Sequence, residues 1–166
     1  MTRDDNGVTI RPVEPLDLDF IQNLSKKVFS QYGPYDKILT DWFQSGTTMT
    51  RLALTYVTPV GFAMVKIPDE DQVDNRLTEL LAIAVEPEKQ NCGIGDLLMT
   101  DVLRLADKMQ VEGLTLCTGV ENTAAQEFFK KHGFSAWRIE KDYYEGGQEA
   151  LMMYKIISRD VELNGV

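Results

Sequence analysis

Residues 77–109 read LTELLAIAVEPEKQNCGIGDLLMTDVLRLADKM, and the rest of the chain arranges itself around them. The opening LTELLAIAV is an aliphatic, strand-like run that stops before Pro87. From Ile94 the apolar positions Ile94, Leu97, Leu98, Val102, Leu105, Ala106 and Met109 recur at helical spacing, which predicts a long amphipathic helix. Between strand and helix lies QNCGIG, residues 90–95, whose two glycines let the backbone turn sharply and approach a ligand closely. A strand, a glycine loop and a helix start make an anion site, because the unpaired amides of the first turn and the helix dipole converge on the loop. The spacing is neither GxGxxG nor the Gly-Lys-Ser/Thr ending of a nucleoside-triphosphate loop. A tight βα turn with glycine present only for packing fits it equally well.

Working outward, residues 8–13 (VTIRPV) alternate like a strand, and Leu16, Phe20, Ile21, Leu24 and Val28 after Pro15 have helical spacing. A second helix is expected over residues 35–43 (YDKILTDWF), after the Gly33-Pro34 turn signal. Strands are expected at 50–57, 61–67 and 77–85, as a meander. A strand at 114–120 and a helix at 122–132, ended by Gly133, follow the long helix. A last hairpin pairs 137–144 with 150–157 around Gly146-Gly147. The fourth and fifth strands are joined through a helix and should lie parallel, whereas the hairpins are antiparallel. The expected fold is α/β (α+β): one domain over residues 1–166, a mixed, mostly antiparallel seven-stranded sheet and about four flanking helices. The charged run 69–76 (DEDQVDNR) reads as an exposed loop.

Composition narrows the chemistry. With 17 Lys+Arg against 26 Asp+Glu the formal charge is −9, which argues against sequence-independent binding of nucleic acid. Two cysteines and one histidine, Cys92, Cys117 and His132, match no zinc-ligand spacing, so no metal is expected. The longest uncharged stretch, residues 52–65, contains Pro59 and Gly61 and falls short of the roughly 20 apolar residues that span a bilayer, so no membrane partner is expected. The opening MTRDDNG is acidic where a secretory signal is basic and then apolar, which sets the expectation of a cytoplasmic protein with reduced thiols.

Residues 77–95, the long helix, a strand and then residues 121–134 (ENTAAQEFFKKHGF) together resemble the GNAT superfamily of acyl-CoA-dependent N-acyltransferases. Its signature Gln/Arg-x-x-Gly-x-Gly/Ala is matched by Gln90, Gly93 and Gly95, and its second motif by Asn122, Phe129, Gly133 and Phe134. The resemblance covers residues 77–157 well and the first 76 residues by element order alone. It implies a GNAT fold with strands 4 and 5 splayed, and acetyl-CoA or CoA as co-substrate. The pyrophosphate would lie on the amides of Gln90, Asn91, Cys92, Gly93, Ile94, Gly95, Asp96 and Leu97, with pantetheine running along Ile83, Ala84 and Val85. Asn122, Ala125, Phe128 and Phe129 would face the cofactor; both phenylalanines also suit plain core, and Asn122 suits a helix N-cap. The loop departs from the family in keeping only Lys89 as a basic residue and in placing a carboxylate, Asp96, where phosphate is expected.

Amide formation from a thioester needs a base for the amine and a proton for the departing sulfur. Glu79, in phase with Leu77, Leu81, Ile83 and Val85, is the candidate base, at a strand position where the superfamily often carries a glutamate. The usual tyrosine acid is replaced by Phe129, and a strand-5 position that holds a base in some relatives is Cys117, leaving Tyr143 and Tyr144 as donors or substrate clamps. Tyr143 and Tyr144 alternate across the sheet, so only one faces the cleft. The hairpin 142–154 (DYYEGGQEALMMY) looks like that of protein N-terminal acetyltransferases, including the ribosomal-protein-alanine type. The resemblance implies a peptide or protein N-terminal α-amine as acceptor, a small amine as the second reading and a regulatory acyl-CoA-binding module as a third. Tyr35, Trp42 and Phe43 would line the acceptor side. A monomer or homodimer is expected.

Overall fold

The computed structural model describes residues 2–3, 7–71 and 76–157. Eight strands form one sheet: β1 (Thr2–Arg3), β2 (Val8–Pro12), β3 (Thr48–Thr55), β4 (Thr58–Lys66), β5 (Leu77–Val85), β6 (Gly113–Gly119), β7 (Ser135–Glu140) and β8 (Ala150–Ile156). Four helices flank it: α1 (Leu18–Phe29), α2 (Tyr35–Gln44), α3 (Ile94–Lys108) and α4 (Thr123–Lys131). All seven expected strands are present, and the two-residue β1 adds an eighth beside β2. Of the run 69–76 the middle, residues 72–75, lies outside the described residues.

The sheet order is β1-β2-β3-β4-β5-β6-β8-β7, and β5–β6 is its parallel pair. That pair is short: Leu77, Thr78 and Glu79 align with Gly113, Leu114 and Thr115, and pairing then stops. Beyond Glu79, β5 stays with β4 while β6 follows β8, so the two strands part as the GNAT resemblance implies.

A core lies on each face. Leu98, Met99 and Val102 of α3 and Phe129 of α4 pack with Val65, Leu80 and Leu116 on one side. Ile21 and Leu24 of α1 and Leu39 of α2 pack with Phe62, Met64, Ala82 and Ala84 on the other. α1 and α2 cover β3, β4 and β5, and β6, β8 and β7 run on past them. The α1 entrance is held by Asp17, whose carboxylate accepts from Arg11 at 2.7 and 3.0 Å and from the Glu14 amide at 2.8 Å.

Two local expectations are corrected. A bulge at Leu81 shifts the register between Met64↔Ala82 and Val65↔Leu80, so strict alternation fails there. Leu80, Ile83 and Val85 share the α3 face, which leaves Glu79 on the opposite face, with Ala82 and Ala84 rather than in phase with Ile83 and Val85. The final hairpin is also wider than the sequence suggests. β7 ends at Glu140, Asp142 takes φ 50°, and residues 141–149 form a loop that carries both Tyr143 and Tyr144.

Candidate active site

The parting of β5 and β6 opens a cleft of about 630 Å³. Its walls are Leu80 to Val85 on β5 and Leu116 to Gly119 on β6; one end is the loop Gln90, Asn91, Gly93, Gly95 and Asp96, and the other Tyr32, Tyr35 and Tyr144. Asn122, Ala125, Phe128, Phe129 and Lys131 close it from α4. The loop geometry follows from its residues. Asn91 and Gly93 take left-handed φ values of 60° and 82°, and Gln90 Nε2 donates to the Val85 carbonyl at 3.1 Å, tying the loop to the end of β5. The Leu97 amide donates to the Gly93 carbonyl at 3.1 Å, so it is excluded from the expected donor set. The amides of residues 91–96 make no backbone hydrogen bond among the described residues and remain as donors at the α3 N-terminus. Gly95 is needed for closeness: a Cβ there would stand 3.2 Å from Phe128 Cε2. Cys92 is exposed, whereas Ile94 and Leu97 turn their side chains into the core. Asn122 caps α4, accepting from the Ala125 amide at 3.2 Å.

Asp96 does not face the loop as a bare charge. Lys131 Nζ lies 3.0 and 3.1 Å from its oxygens and His132 Nε2 lies 2.7 Å away. Burial pushes the carboxyl up, but the hydrogen bonds from Lys131 and His132 outweigh it and hold its pKa below the ordinary aspartate value.

At the fork of the strands a second group assembles. Glu79 is half-buried, and burial raises its carboxyl pKa against the opposing pull of Lys66. Cys117 Sγ lies 3.5 Å from Tyr143 Oη, and burial likewise raises the thiol. Burial pushes Tyr35 up to about 12, with Cys117, Glu79 and Glu145 adding to it. Tyr143 and Tyr144 are raised by burial as well. The rings of Tyr32 and Tyr144 are 4.7 Å apart and those of Tyr143 and Tyr144 5.0 Å. Phe129, 6% exposed, stacks edge-on against Phe134, so no proton-bearing group stands at its position.

A profile described as the Acetyltransferase (GNAT) family matches residues 18–134. The chain belongs to that family. N-alpha-acetyltransferase 20 of Dictyostelium discoideum is 31% identical over 110 residues, which take in 65% of this chain and 62% of that protein. The chain spans less than two thirds of the length of the curated relatives it matches. Among solved structures, the Escherichia coli ribosomal-protein-S18-alanine N-acetyltransferase superposes with a TM-score of 0.80 at 23% identity, over 96% of this chain and 99% of that one. Arabidopsis thaliana Naa50 in complex with the bisubstrate analogue CoA-Ac-MVNAL superposes with a TM-score of 0.77 at 21% identity, over 90% and 98%. These likenesses establish the GNAT fold.

Of the residues singled out from the GNAT resemblance, the cleft gathers Ile83, Ala84, Val85, Gln90, Asn91, Gly93, Gly95, Asp96, Asn122, Ala125, Phe128, Phe129 and Tyr144. Glu79 and Tyr143 stand beside it, and Cys92, Ile94 and Leu97 present no side chain to it. Because residues 141–149 form a loop, both tyrosines turn toward the site, against the expectation that only one could. Sequence reasoning missed Tyr32 and Lys131. Tyr32 sits over Gly119, where a Cβ would meet its hydroxyl at 2.6 Å, a long-range fit that no local pattern announces. Lys131 was legible only as part of a basic helix end.

Proposed function

We propose that this chain transfers the acetyl group of acetyl-CoA to the N-terminal α-amine of a peptide or protein. The observation that carries the reading is the meeting, at the parting of β5 and β6, of a cleft ending in unpaired amides with a half-buried glutamate. The cleft fits the co-substrate. The amides of residues 91–96 and the α3 dipole suit a diphosphate, and the β5 edge past Glu79, without a strand on its β6 side, suits an extended chain of amide groups. Lys131, held by Asp96, is a cation available to the phosphates where the loop itself is poor in basic residues.

Acetyl-CoA supplies an acyl group already activated as a thioester. Glu79 takes a proton from the incoming ammonium, directly or through one water, so that the neutral amine can attack; its raised pKa brings it closer to the working pH of a base. Phe129 has nothing to donate. Tyr144 lines the cleft, and burial keeps its phenol protonated, so it can give a hydrogen bond to the departing sulfur; as the tetrahedral intermediate collapses the nitrogen gives its extra proton to solvent and the thiolate gains one from it. The names of the N-terminal acetyltransferase relatives, and the bisubstrate analogue in one structural neighbour, support the peptide acceptor.

The test is CoA release from acetyl-CoA across a panel of peptides differing at the N-terminal residue, with polyamines and amino acids alongside. Turnover of a peptide subset is expected. Turnover of small amines alone would move the acceptor to that class, and tight acetyl-CoA binding without turnover of any acceptor would make the chain a binding module.

A further inference from the structure

We propose that Glu145 selects the acceptor by charge, favouring a polypeptide whose second residue is lysine or arginine and disfavouring one whose second residue is acidic. This rests on the peptide-acetylation reading above and gives that site a substrate preference. The two ends of the cleft differ in charge. At the loop end stand the amides of residues 91–96 and Lys131, the one cation among the described residues that line it. The other end is lined by Val28, Phe29, Tyr32, Tyr35 and Tyr144, and two carboxylates, Glu79 and Glu145, act on Tyr35 there. Lys66, the cation that acts on Glu79, is itself paired with Asp69 at 3.6 Å. The phosphates suit the first end, which leaves the second to the acceptor.

The backbone holds Glu145 at this end. It follows Tyr144 in a tight turn closed by the Gly147 amide, which donates to the Tyr144 carbonyl at 2.8 Å, while the Tyr144 amide donates to the Gln148 carbonyl at 3.2 Å. The turn is fastened to the α1–α2 connection, because Gln148 Nε2 donates to the Gln31 carbonyl at 2.7 Å and the Gly146 amide to the Tyr32 carbonyl at 3.4 Å. Glu145 consequently lies against Gly33, where a Cβ would stand 3.4 Å from the Glu145 Cβ and 3.7 Å from its Oε2. The residue is exposed, and among the described residues its carboxylate has no ion-pair partner. A fixed carboxylate without a cation, beside aromatic rings whose faces also attract cations, suits a cationic side chain. Alternation along the acceptor says which one. Successive residues of an extended chain point to opposite sides, so a first side chain set against Val28 and Phe29 of α1 sends the second toward the 141–149 loop.

The experiment uses three eight-residue peptides that share an accepted first residue and differ only at the second, which is lysine, leucine or glutamate. KM and kcat are measured for the unaltered chain, for Glu145→Gln and for Glu145→Lys. With the unaltered chain KM should rise about threefold from the lysine to the leucine peptide and about threefold again to the glutamate peptide, with kcat kept. Glu145→Gln should bring the three within about twofold of one another, and Glu145→Lys should reverse their order. Salt at about 0.5 M should shrink the order in the unaltered chain and leave the Gln variant as it is. Equal KM for all three peptides with the unaltered chain, an order that survives in Glu145→Gln, or equal changes for all three in both variants would overturn the assignment while the peptide reading stands. If the unaltered chain acetylates no peptide of any sequence, the peptide reading itself has failed, and the assignment falls with it.

Discussion

Glu79 stands where two strands separate, and its chemistry follows from that place. Paired to Thr115 on one side and freed from β6 immediately beyond, it is buried enough for its charge to cost free energy. Glu79→Gln should lower kcat by about ten- to a thousandfold near neutral pH and leave the acetyl-CoA dissociation constant unchanged, since the cleft proposed for acetyl-CoA is lined by other residues. In the unaltered chain the rate should climb with pH through the raised Glu79 pKa as the carboxylate becomes available. That acid limb should vanish in the variant, and a pH–rate profile reads it directly. The glutamate was legible from its strand position. Its face was not, because the Leu81 bulge reverses the alternation, and a bulge depends on register with β4 that no single strand encodes. Phe129 shows the converse: its identity alone says that its side chain has no proton to give, and the structure packs it edge-on against Phe134.

Among the elements, the turn from β5 into α3 does most to define the site. It was the most legible part of the chain, since aliphatic strand, glycine loop and helical period each have a local signature. Gly93 allows a test that separates backbone from charge. Its φ of 82° disfavours any side chain, but no atom lies within 4 Å of a Cβ built there. Gly93→Ala should therefore weaken CoA binding only by the strain of a left-handed alanine, about 1 kcal/mol. Gly93→Asp adds a carboxylate where the phosphates are proposed to lie and should weaken it by a further tenfold or so, read by calorimetric titration. Equal effects of the two would place the phosphates elsewhere. The last hairpin was legible only in part. Its Gly-Gly pair does close a tight turn, the Gly147 amide donating to the Tyr144 carbonyl at 2.8 Å, but the longer loop around that turn is fixed by the α1–α2 connection through the Gly146 amide and the Gln148 side chain, whose partners lie more than a hundred residues upstream.

For the molecule as a whole, the two cores on opposite faces hold the sheet, and the site occupies the seam where its halves diverge. A site at that seam is maintained against stability, and two carboxylates with opposite pKa shifts, Glu79 and Asp17, make the conflict measurable. Glu79 has a raised pKa in the folded state, so it contributes no penalty where it is protonated both folded and unfolded, and a growing one as pH rises through the folded pKa. Asp17, held by Arg11 against the opposing cost of its burial, has a lowered pKa; its contribution is full above the ordinary aspartate value and is lost as pH falls through the folded one. The unaltered chain should therefore be most stable on the acid side of neutrality, between these two transitions. Glu79→Gln should remove the penalty and raise Tm near pH 8 by about 2–4 °C, the gain disappearing near pH 4. Scanning calorimetry of both chains across that range checks it. A variant less stable than its parent at every pH would mean that Lys66 and its neighbours stabilise the Glu79 charge more than burial opposes it, and the carboxylate would then be too acidic for the part of a base.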